Sequence, residues 1–273
     1  MKILVLGSEG QIGSSTVQFL KKQKVEVIEW DIALHASHDL RRHSFYLEEL
    51  MWSCDFVYYF ASDVGGAKYL ENHQNSFPFI KNNMDIMSNT FDMLKRTNIP
   101  FLFTSSQMAE LPFSTYGQLK LLGEKITNDI GGLVVRLWNV YGYEKTCEKS
   151  HVITDFIQMA KTTGVIKTRT TGEESRQLLY VDDCANAFWN LTKEYHQLDK
   201  TKNYHITSFE WVKIKEVAEI VRQIAGCDLV LGEKQDQTQM NAMNPPDEYI
   251  KRYWQPSTSL YDGIKTIFDS YKI

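Results

Sequence analysis

Residues 104–120 concentrate side chains that can handle a proton. They read TSSQMAELPFSTYGQLK, with two serines followed by a tyrosine and a lysine four positions apart. On a helix this spacing puts Tyr116 and Lys120 on one face. A tyrosine has a pKa of about 10, so it acts as a base at neutral pH only where positive charge stabilises the phenolate. Lys120 can supply that charge and a serine can orient a substrate oxygen, which together suit proton transfer with an alcohol.

The order of the surrounding elements gives this weak motif its weight. Taken alone, the motif is weak, because a tyrosine at this spacing more often packs against its neighbours and a lysine more often faces water. Apolar runs at ILVLG, VEVIEWD, CDFVYYFAS, FLFTSS and GLVVRLWNVYG alternate with segments of helical periodicity. This alternation predicts a doubly wound α/β fold around a covered parallel sheet. We predict helices at residues 13–22, 84–96, from about 118, 152–162 and 214–225, a strand at NYHITS, and a loop at GEKQDQTQMNAMNPPDE.

A glycine-rich turn follows the first strand. Gly7, Gly10 and Gly13 stand in GSEGQIG and lead into a helix, where glycine lets the backbone approach a pyrophosphate and helix amides meet its charge. The second strand ends at Asp31, at the distance expected for an acid that binds ribose hydroxyls. A carboxylate there repels a 2′-phosphate, so the pattern predicts NAD rather than NADP. The alternative is an ordinary strand-to-helix turn beside an unrelated aspartate.

Composition narrows the class of partner. The 273 residues are 43% hydrophobic and 23% charged, which suits one large domain or a domain with a smaller lobe. A net charge of −4 with dispersed basic residues argues against nucleic acid as a partner. No run reaches the roughly 20 apolar residues that span a bilayer. Because the first apolar run begins at Ile3, leaving no room for a cleavable signal, we expect no membrane association and a cytoplasmic location.

The cysteines give no sign of a metal site or of disulfides. Cys54, Cys147, Cys184 and Cys227 are widely spaced, without a CxxC pair or clustered histidines. We therefore expect reduced thiols and no metal.

Taken in order, the motifs resemble those of the extended short-chain dehydrogenases, the NAD-dependent epimerase and dehydratase group that acts on nucleotide-activated sugars. The resemblance rests on GSEGQIG, Asp31, YYFAS, FTSS, YGQLK, RLWNVYG, SRQLLYVDDCANAF, NYHITSFEWVKIKEVAEI and YWQPSTSLYDGIKTI. It implies a Rossmann-type NAD-binding domain at residues 1–142, with a segment near 176–207 returning to it. A smaller C-terminal α/β lobe at 143–273 would then bind the substrate. The resemblance also implies a homodimer formed through the helices after Met84 and Tyr116.

The same resemblance assigns roles by position. Tyr116 and Lys120 match the catalytic pair, and Ser106, rather than Ser105, matches the hydroxyl that orients the sugar. Cofactor contacts are expected at Gly7, Gly10, Gln11, Ile12, Gly13, Asp31, Asp39, Leu40, Ala61, Tyr116 and Lys120. Substrate contacts are expected at Gly65, Gly66, Gln107, Met108, Asn139 and Arg176.

Alternatives stay open for some of these residues. Asn139 and Arg176 match positions that contact phosphates, but an arginine such as Arg176 is also often an ordinary surface charge. Gly65 and Gly66 lie in DVGGAKYLEN, which resembles the GDP-mannose 3,5-epimerase branch, and are otherwise a flexible loop. Asp39 could touch the adenine or be a loop acid or helix cap.

Gln107 and Met108 depart from the pattern of the family. Its dehydratases carry an aspartate and a glutamate at these two positions, and the 3,5-epimerase branch carries a cysteine at the second. Neither an amide nor a thioether transfers a proton at a useful pH. The remaining chemistry is NAD-dependent exchange between alcohol and ketone at C4 of a GDP-linked hexose or heptose, in surface-polysaccharide synthesis. The alternatives are a 4-epimerase that retains NAD, a non-catalytic NAD-binding sensor or scaffold, and replacement of the missing acid by Cys147.

Overall fold

The computed structural model describes residues 1–144, 149–235 and 244–271. Its centre is a parallel sheet of six strands, which are β1 (Lys2–Leu6), β2 (Glu26–Trp30), β3 (Phe56–Tyr59), β4 (Phe101–Ser106), β5 (Leu133–Leu137) and β10 (Tyr204–Ile206). Their spatial order is β2–β1–β3–β4–β5–β10. From β1 the chain first adds β2 on one side, and it then crosses to the other side of β1 to add β3 and the remaining strands. Ligands of such sheets bind in the crevice outside the carboxyl ends at this reversal.

Helices cover both faces of the sheet. The helices are α1 (Gln11–Lys22), α2 (Phe45–Trp52), α3 (Ala67–His73), α4 (Phe77–Thr97), α5 (Thr115–Asp129), α6 (Val152–Thr163), α7 (Val181–Lys193), α8 (Ile214–Ala225) and α9 (Leu260–Ser270). Alternate residues of each strand point to opposite faces. One face packs on α1 and α7 around residues such as Val5, Tyr58 and Phe188. The other packs on α2 and α4 around residues such as Leu6, Tyr59 and Phe91.

In the described ranges, three of these helices, α6, α8 and α9, form a second lobe together with six short strands. Its strands are β6 (Asn139–Tyr141), β7 (Val165–Lys167), β8 (Ser175–Arg176), β9 (Leu178–Tyr180), β11 (Val212–Lys213) and β12 (Asp228–Val230). They pair as β6 with β9, β7 with β12, and β8 with β11. A separate core joins α6, α8 and α9 through residues such as Ile157, Val221 and Ile264. The lobe therefore has its own apolar core, while β10 and α7 return to the central sheet.

The predicted fold class is confirmed, and several predicted boundaries move. Helix α8 begins and ends where the periodicity placed it, and α6 extends one residue further. Helix α4 begins seven residues earlier than predicted because Ser76 caps it ahead of Pro78. Helix α5 begins at Thr115, not near 118, because the Ser114 hydroxyl accepts the Gly117 N–H at 3.0 Å. Tyr116 thus lies in the first turn of this helix.

Parts of two predicted loops lie outside the described residues. These are residues 145–148, which include Cys147, and residues 236–243. In the described ranges, no helix combines the length and apolar character needed to cross a membrane.

Candidate active site

One cleft of about 1690 Å³ runs along the carboxyl ends of the strands and between the two lobes. Its lining includes every residue predicted above to contact cofactor or substrate. In chain order these are Gly7, Gly10, Gln11, Ile12, Gly13, Asp31, Asp39, Leu40, Ala61, Gly65, Gly66, Ser106, Gln107, Met108, Tyr116, Lys120, Asn139 and Arg176. The volume exceeds that of pockets for single drug-sized ligands, which reach about 1,000 Å³. Two ligands placed side by side would fit in it.

The glycine turn joins β1 to α1 with little spare room. Gly7 has φ +86°, which favours glycine, and a Cβ there would lie 2.8 Å from the Ala61 nitrogen. A Cβ at Gly13 would lie 2.0 Å from the Gly7 oxygen, so the helix packs directly on the turn. At Gly10 a Cβ would meet the Gly7 oxygen at 3.5 Å, an ordinary contact distance. Folding therefore explains Gly7 and Gly13, whereas the cleft side of Gly10 is open to a ligand.

The amino end of α1 suits a phosphate. Gly10 supplies no side-chain cap, and the first turn of this helix has no acidic residue. Amide groups at such an end attract anions through their N–H groups and the helix dipole. The pyrophosphate of a dinucleotide is an anion of this kind, so the residues present fit the cofactor predicted from the sequence.

Asp31 lies beside the glycine turn at the end of β2. Its carboxylate accepts the Glu9 N–H at 3.0 Å and the Ala33 N–H at 2.9 Å. The neighbouring Trp30 ring stacks on His38 with ring centroids 3.9 Å apart, and both residues line the cleft. A carboxylate held beside flat rings is suited to a ribose and its attached base.

Asp39 is held by its own neighbour. Its carboxylate receives two bonds from the Arg41 guanidinium, at 2.8 and 2.9 Å, and these bonds lower the pKa of Asp39. Leu40 next to it is buried against the core. Asp39 therefore lines the cleft as one half of an ion pair and not as a free acid.

Tyr116, Lys120 and Ser106 meet at the centre of the cleft. Tyr116 and Lys120 project from the same face of α5, and the lysine nitrogen lies 5.7 Å from the centre of the tyrosine ring. The ammonium donates to the Thr104 carbonyl oxygen at 2.9 Å, which fixes it under β4. The Ser106 hydroxyl, at the end of that strand, interacts with the Tyr116 phenol in the sense that lowers the pKa of the phenol. The structure thus brings together the hydroxyl, the phenol and the cation.

Burial controls the protonation of both members of the pair. Burial raises the pKa of Tyr116, and its hydrogen bond with Ser106 opposes part of this rise. Burial lowers the pKa of Lys120 to about 8, and the nearby Glu124 carboxylate opposes part of that fall. Lys120 therefore carries its charge at neutral pH, in a place where the charge favours the phenolate.

Ser105 and Ser106 face different surroundings. Both line the cleft, but the buried Ser105 hydroxyl donates to the Glu124 carboxylate at 2.5 Å and is committed to that bond. The Ser106 hydroxyl accepts the Met108 N–H at 3.2 Å and reaches Tyr116. This geometry favours Ser106 as the orienting hydroxyl. Gln107 and Met108 follow it on a short 3₁₀ turn, Gln107–Glu110, that lines the cleft.

The predicted substrate residues lie on the side of the second lobe. Asn139 begins β6, and its buried Nδ2 has no hydrogen-bond partner in the part of the chain that is described. A buried amide of this kind calls for an acceptor, which a bound ligand can supply. Arg176 ends β8, donates to the Ser175 carbonyl at 2.8 Å and lines the cleft.

The glycine pair has a packing role. A Cβ at Gly66 would lie 2.1 Å from the Ser150 oxygen, and one at Gly65 would lie 2.9 Å from the Tyr69 ring. The Gly66 N–H also donates to the Lys149 carbonyl at 3.0 Å. This turn is therefore packed between α3 and the second lobe.

Two groups in the cleft were missed from the sequence. His151 Nδ1 lies 2.6 Å from a Glu144 carboxylate oxygen, and the His151 N–H donates to the other oxygen at 3.0 Å. Burial works against ionisation of Glu144, but its contacts with His151 outweigh this and lower its pKa. Asp63 accepts from Tyr69 at 2.7 Å and from Lys149 at 3.0 Å. A histidine and a glutamate seven apart form no recognised motif, so only the fold reveals the pair.

A sequence model of the NAD dependent epimerase/dehydratase family matches residues 3–207. The chain belongs to this family. Membership supports a nicotinamide cofactor. Two relatives in this family match over nearly the full chain. GDP-L-fucose synthase 1 of Arabidopsis thaliana is 27% identical over 315 residues, covering 99% of this chain and 93% of its own. UDP-glucuronic acid decarboxylase 5 of the same plant is 22% identical over 314 residues, covering 100% and 90%.

Solved structures share the fold of this family member. The GDP-mannoheptose C4 reductase of Campylobacter jejuni, with NADP bound, superposes with a TM-score of 0.75 at 18% identity, covering 98% of this chain and 97% of the other. The UDP-glucose 4-epimerase of Thermotoga maritima, with UDP-glucose, reaches a TM-score of 0.80 at 20% identity, covering 98% of each chain. At these identities the likeness establishes the architecture.

Proposed function

We propose that this family member is an NAD-dependent oxidoreductase that interconverts alcohol and ketone at C4 of a nucleotide-activated sugar. The observation that carries the proposal is the meeting of Ser106, Tyr116 and Lys120 beside Gln107 and Met108. The first three can orient an oxygen, move its proton and stabilise the charge. The last two line the cleft without any capacity to add or remove a second proton.

Each member of the trio has one task in this proposal. The bound cofactor supplies a hydride donor or acceptor. Ser106 holds the sugar oxygen by a hydrogen bond, and Tyr116 takes the proton from this oxygen during oxidation or returns it during reduction. Lys120 stays protonated, lowers the cost of the phenolate and is itself held by the Thr104 carbonyl. Asp31 favours an unmodified ribose, so we propose NAD rather than NADP.

We propose a GDP-linked hexose or heptose as the substrate and surface-polysaccharide synthesis as its setting. Two of the similar proteins carry GDP-sugar names, the plant GDP-L-fucose synthase and the GDP-mannoheptose C4 reductase. The lining of the cleft also includes the basic residues Lys167, Arg169 and Arg176 and the apolar Val152 and Phe156. Of the basic residues, Arg169 donates to the Glu71 carboxylate at 3.2 Å. Positive charge beside an apolar wall suits a diphosphate joined to a base.

The test is incubation of the purified protein with NAD and a panel of GDP- and UDP-sugars and their 4-keto forms. We expect reduced cofactor, or its consumption, with a GDP-sugar and weaker turnover with the UDP counterpart. Inversion at C4 without net change in NAD would point instead to a 4-epimerase. Neither cofactor turnover nor exchange of the C4 hydrogen across the panel would refute both.

The His151–Glu144 pair supports a second candidate activity on the same sugar. Once a ketone stands at C4, the neighbouring C–H bonds become acidic, and a histidine held by a carboxylate is a suitable base. Met108 supplies no acid for the opposite face. We therefore propose proton exchange beside the ketone without inversion. Mass spectrometry of a 4-keto sugar incubated in D₂O would show one deuterium gained with wild type and none with His151→Asn, and no gain with wild type would refute it.

We propose a homodimer formed through α4 and α5. These helices lie side by side, and Phe77 and Met84 on α4 and Leu121 and Leu122 on α5 are exposed apolar residues. Apolar side chains exposed on neighbouring helices are typical of a face covered by a partner. Light scattering after gel filtration should give about twice 31.7 kDa for wild type and a smaller mass for Leu122→Glu. A wild-type protein of 31.7 kDa at micromolar concentration would contradict the dimer.

A further inference from the structure

A third polar side chain continues the face of α5 that carries Tyr116 and Lys120. Glu124 lies one helical turn beyond Lys120 and is 3% exposed, while Lys120 is 6% exposed. A carboxylate buried this deeply is costly to maintain unless it is well paired. The mechanism above gives Glu124 no part, so its burial needs an explanation.

Each of these three α5 residues is matched by one residue at the end of β4. The Ser106 hydroxyl pairs with the Tyr116 phenol, and the Thr104 carbonyl accepts the Lys120 ammonium at 2.9 Å. The Ser105 hydroxyl donates to Glu124 at 2.5 Å. The helix and the strand are therefore held together by three successive polar contacts, and the one made by Glu124 lies furthest from the cleft.

Arg136 on β5 completes the pairing of Glu124. Its Nε and Nη2 donate to the two carboxylate oxygens at 2.7 and 2.8 Å, in the two-pronged geometry that fixes an orientation. Its Nη1 donates to Glu110, the last residue of the short turn that carries Gln107 and Met108. Through Arg136, Glu124 is thus joined to the turn that lines the substrate half of the cleft.

We propose that Glu124 is a positioning residue whose fixed charge, one turn along the same face of α5, keeps the ammonium of Lys120 protonated beside Tyr116. The importance of Glu124 for turnover rests on the proposed function, but the effect of Glu124 on the pKa of Lys120 does not. If Glu124 served stability alone, apolar residues of similar volume would serve as well as the ion pair, because buried ion pairs are rarely better than good packing. The contacts with Ser105 and Arg136 hold its charge at one fixed site on the lysine face.

The direction of the charge effect agrees with this role. Burial lowers the pKa of Lys120 to about 8, and the Glu124 carboxylate raises it against that trend. The charged and titratable groups around the pair are Tyr116 on α5, Arg136 on β5, Glu110 in the turn and His205 on β10, whose own pKa is lowered by burial and by Arg136. Removal of the Glu124 charge leaves the cation of Arg136 paired with Glu110 alone, which further disfavours a second cation nearby. Lys120 should then lose its proton at lower pH.

The experiment measures the titration of Lys120 directly. Protein with ¹³C-labelled lysine is titrated by NMR, and the Lys120 signal is identified by its absence in Lys120→Arg. In Glu124→Gln we expect the midpoint to fall by about one pH unit relative to wild type. In Ser105→Ala, which keeps both charges, we expect a midpoint close to that of wild type.

A second variant guards against a loss of folding. Glu124→Gln leaves Arg136 paired with Glu110 alone, so Glu124→Gln combined with Arg136→Gln provides a neutral pair. This double variant should show a smaller fall in the midpoint, because the carboxylate is lost without the added repulsion from Arg136. Where the sugar substrate is in hand, the alkaline limb of kcat/KM should move to lower pH by the same amount. Unchanged Lys120 midpoints in both variants, with only a lower melting temperature, would overturn the proposal. Failure to find any substrate would count against the proposed function and leave this titration result intact.

Discussion

The half of the cleft proposed for the cofactor and the half proposed for the substrate are built in different ways. The cofactor half comes from one short stretch of chain, in which β1, the glycine turn and α1 follow each other and Asp31 arrives on the next strand. The substrate half gathers Gly66, Met108, Asn139 and Arg176 from four separate segments. One half is a local motif, whereas the other exists only when distant segments meet.

This difference explains which residues can be read from the chain alone. A turn that needs φ above zero at Gly7 and close packing at Gly13 leaves a recognisable pattern, because backbone geometry demands glycine there. A pair such as His151 and Glu144 satisfies no local rule. Its function would come from its neighbours in space, which a sequence pattern does not record.

Tyr116 stands where the halves meet, so its removal should have the largest effect. Tyr116→Phe keeps the ring but removes the hydroxyl that would transfer the proton, so we expect turnover to fall by about 10³-fold. Binding of NADH, followed by fluorescence, should stay within about twofold of wild type because the glycine turn is untouched. Equally negligible turnover by the variant and wild type would favour a non-catalytic sensor or scaffold, and equal measurable turnover would exclude Tyr116 as the group that transfers the proton.

A matched pair of alanine variants separates folding from ligand binding in the cofactor half. In Gly13→Ala the new Cβ would meet the Gly7 oxygen at 2.0 Å, so we expect a large fall in melting temperature. In Gly10→Ala it would meet only an ordinary contact, so the melting temperature without cofactor should hold. The affinity for NADH should nevertheless fall by about a hundredfold, because the methyl group separates the amides from the phosphates. Undiminished NADH affinity in a folded Gly10→Ala protein would be inconsistent with the assigned cofactor site.

Arg176→Met tests the substrate half alone. Loss of a charge-assisted hydrogen bond to a diphosphate should raise KM for the sugar nucleotide by about thirtyfold. KM for NAD should remain unchanged, since Arg176 lies on β8 in the second lobe. Rescue by Arg176→Lys should be incomplete, because an ammonium lacks the planar fork. Equal increases in KM for the sugar nucleotide and for NAD would contradict the assignment of cofactor and substrate to separate halves of the cleft.

Asp31→Asn should give the smallest change. Without the carboxylate, the hydrogen bond that residue 31 accepts from a ribose hydroxyl weakens, and the repulsion of a 2′-phosphate disappears. We expect the ratio of kcat/KM for NAD to that for NADP to fall by about tenfold. Asparagine keeps only one of the two oxygens that accept the Glu9 and Ala33 N–H groups, so the melting temperature is measured alongside to separate the lost bond from the change in cofactor selection. A ratio that stays constant would remove Asp31 from cofactor selection.

Much of the fold follows from the sequence, and the exceptions have physical causes. The six sheet strands and α8 follow from apolar runs and periodicity, whereas α2 was not predicted, because its eight residues include the exposed apolar side chains Phe45 and Trp52 and show little amphipathic contrast. The starts of α4 and α5 were placed late because a capping serine determines them. In the site, Asp39 was predicted as a possible adenine contact, but the pairing with Arg41 two residues away takes its carboxylate.

Transfer of a labelled hydride tests the central claim most directly. The protein is incubated with NADH that carries deuterium at the nicotinamide C4 and with 4-keto GDP-sugars, and the products are analysed by mass spectrometry and NMR. Our account predicts one deuterium at C4 of the sugar with wild type and about 10³-fold slower incorporation with Tyr116→Phe. Deuterium at another carbon, or none in any sugar while wild type binds NADH, would contradict it.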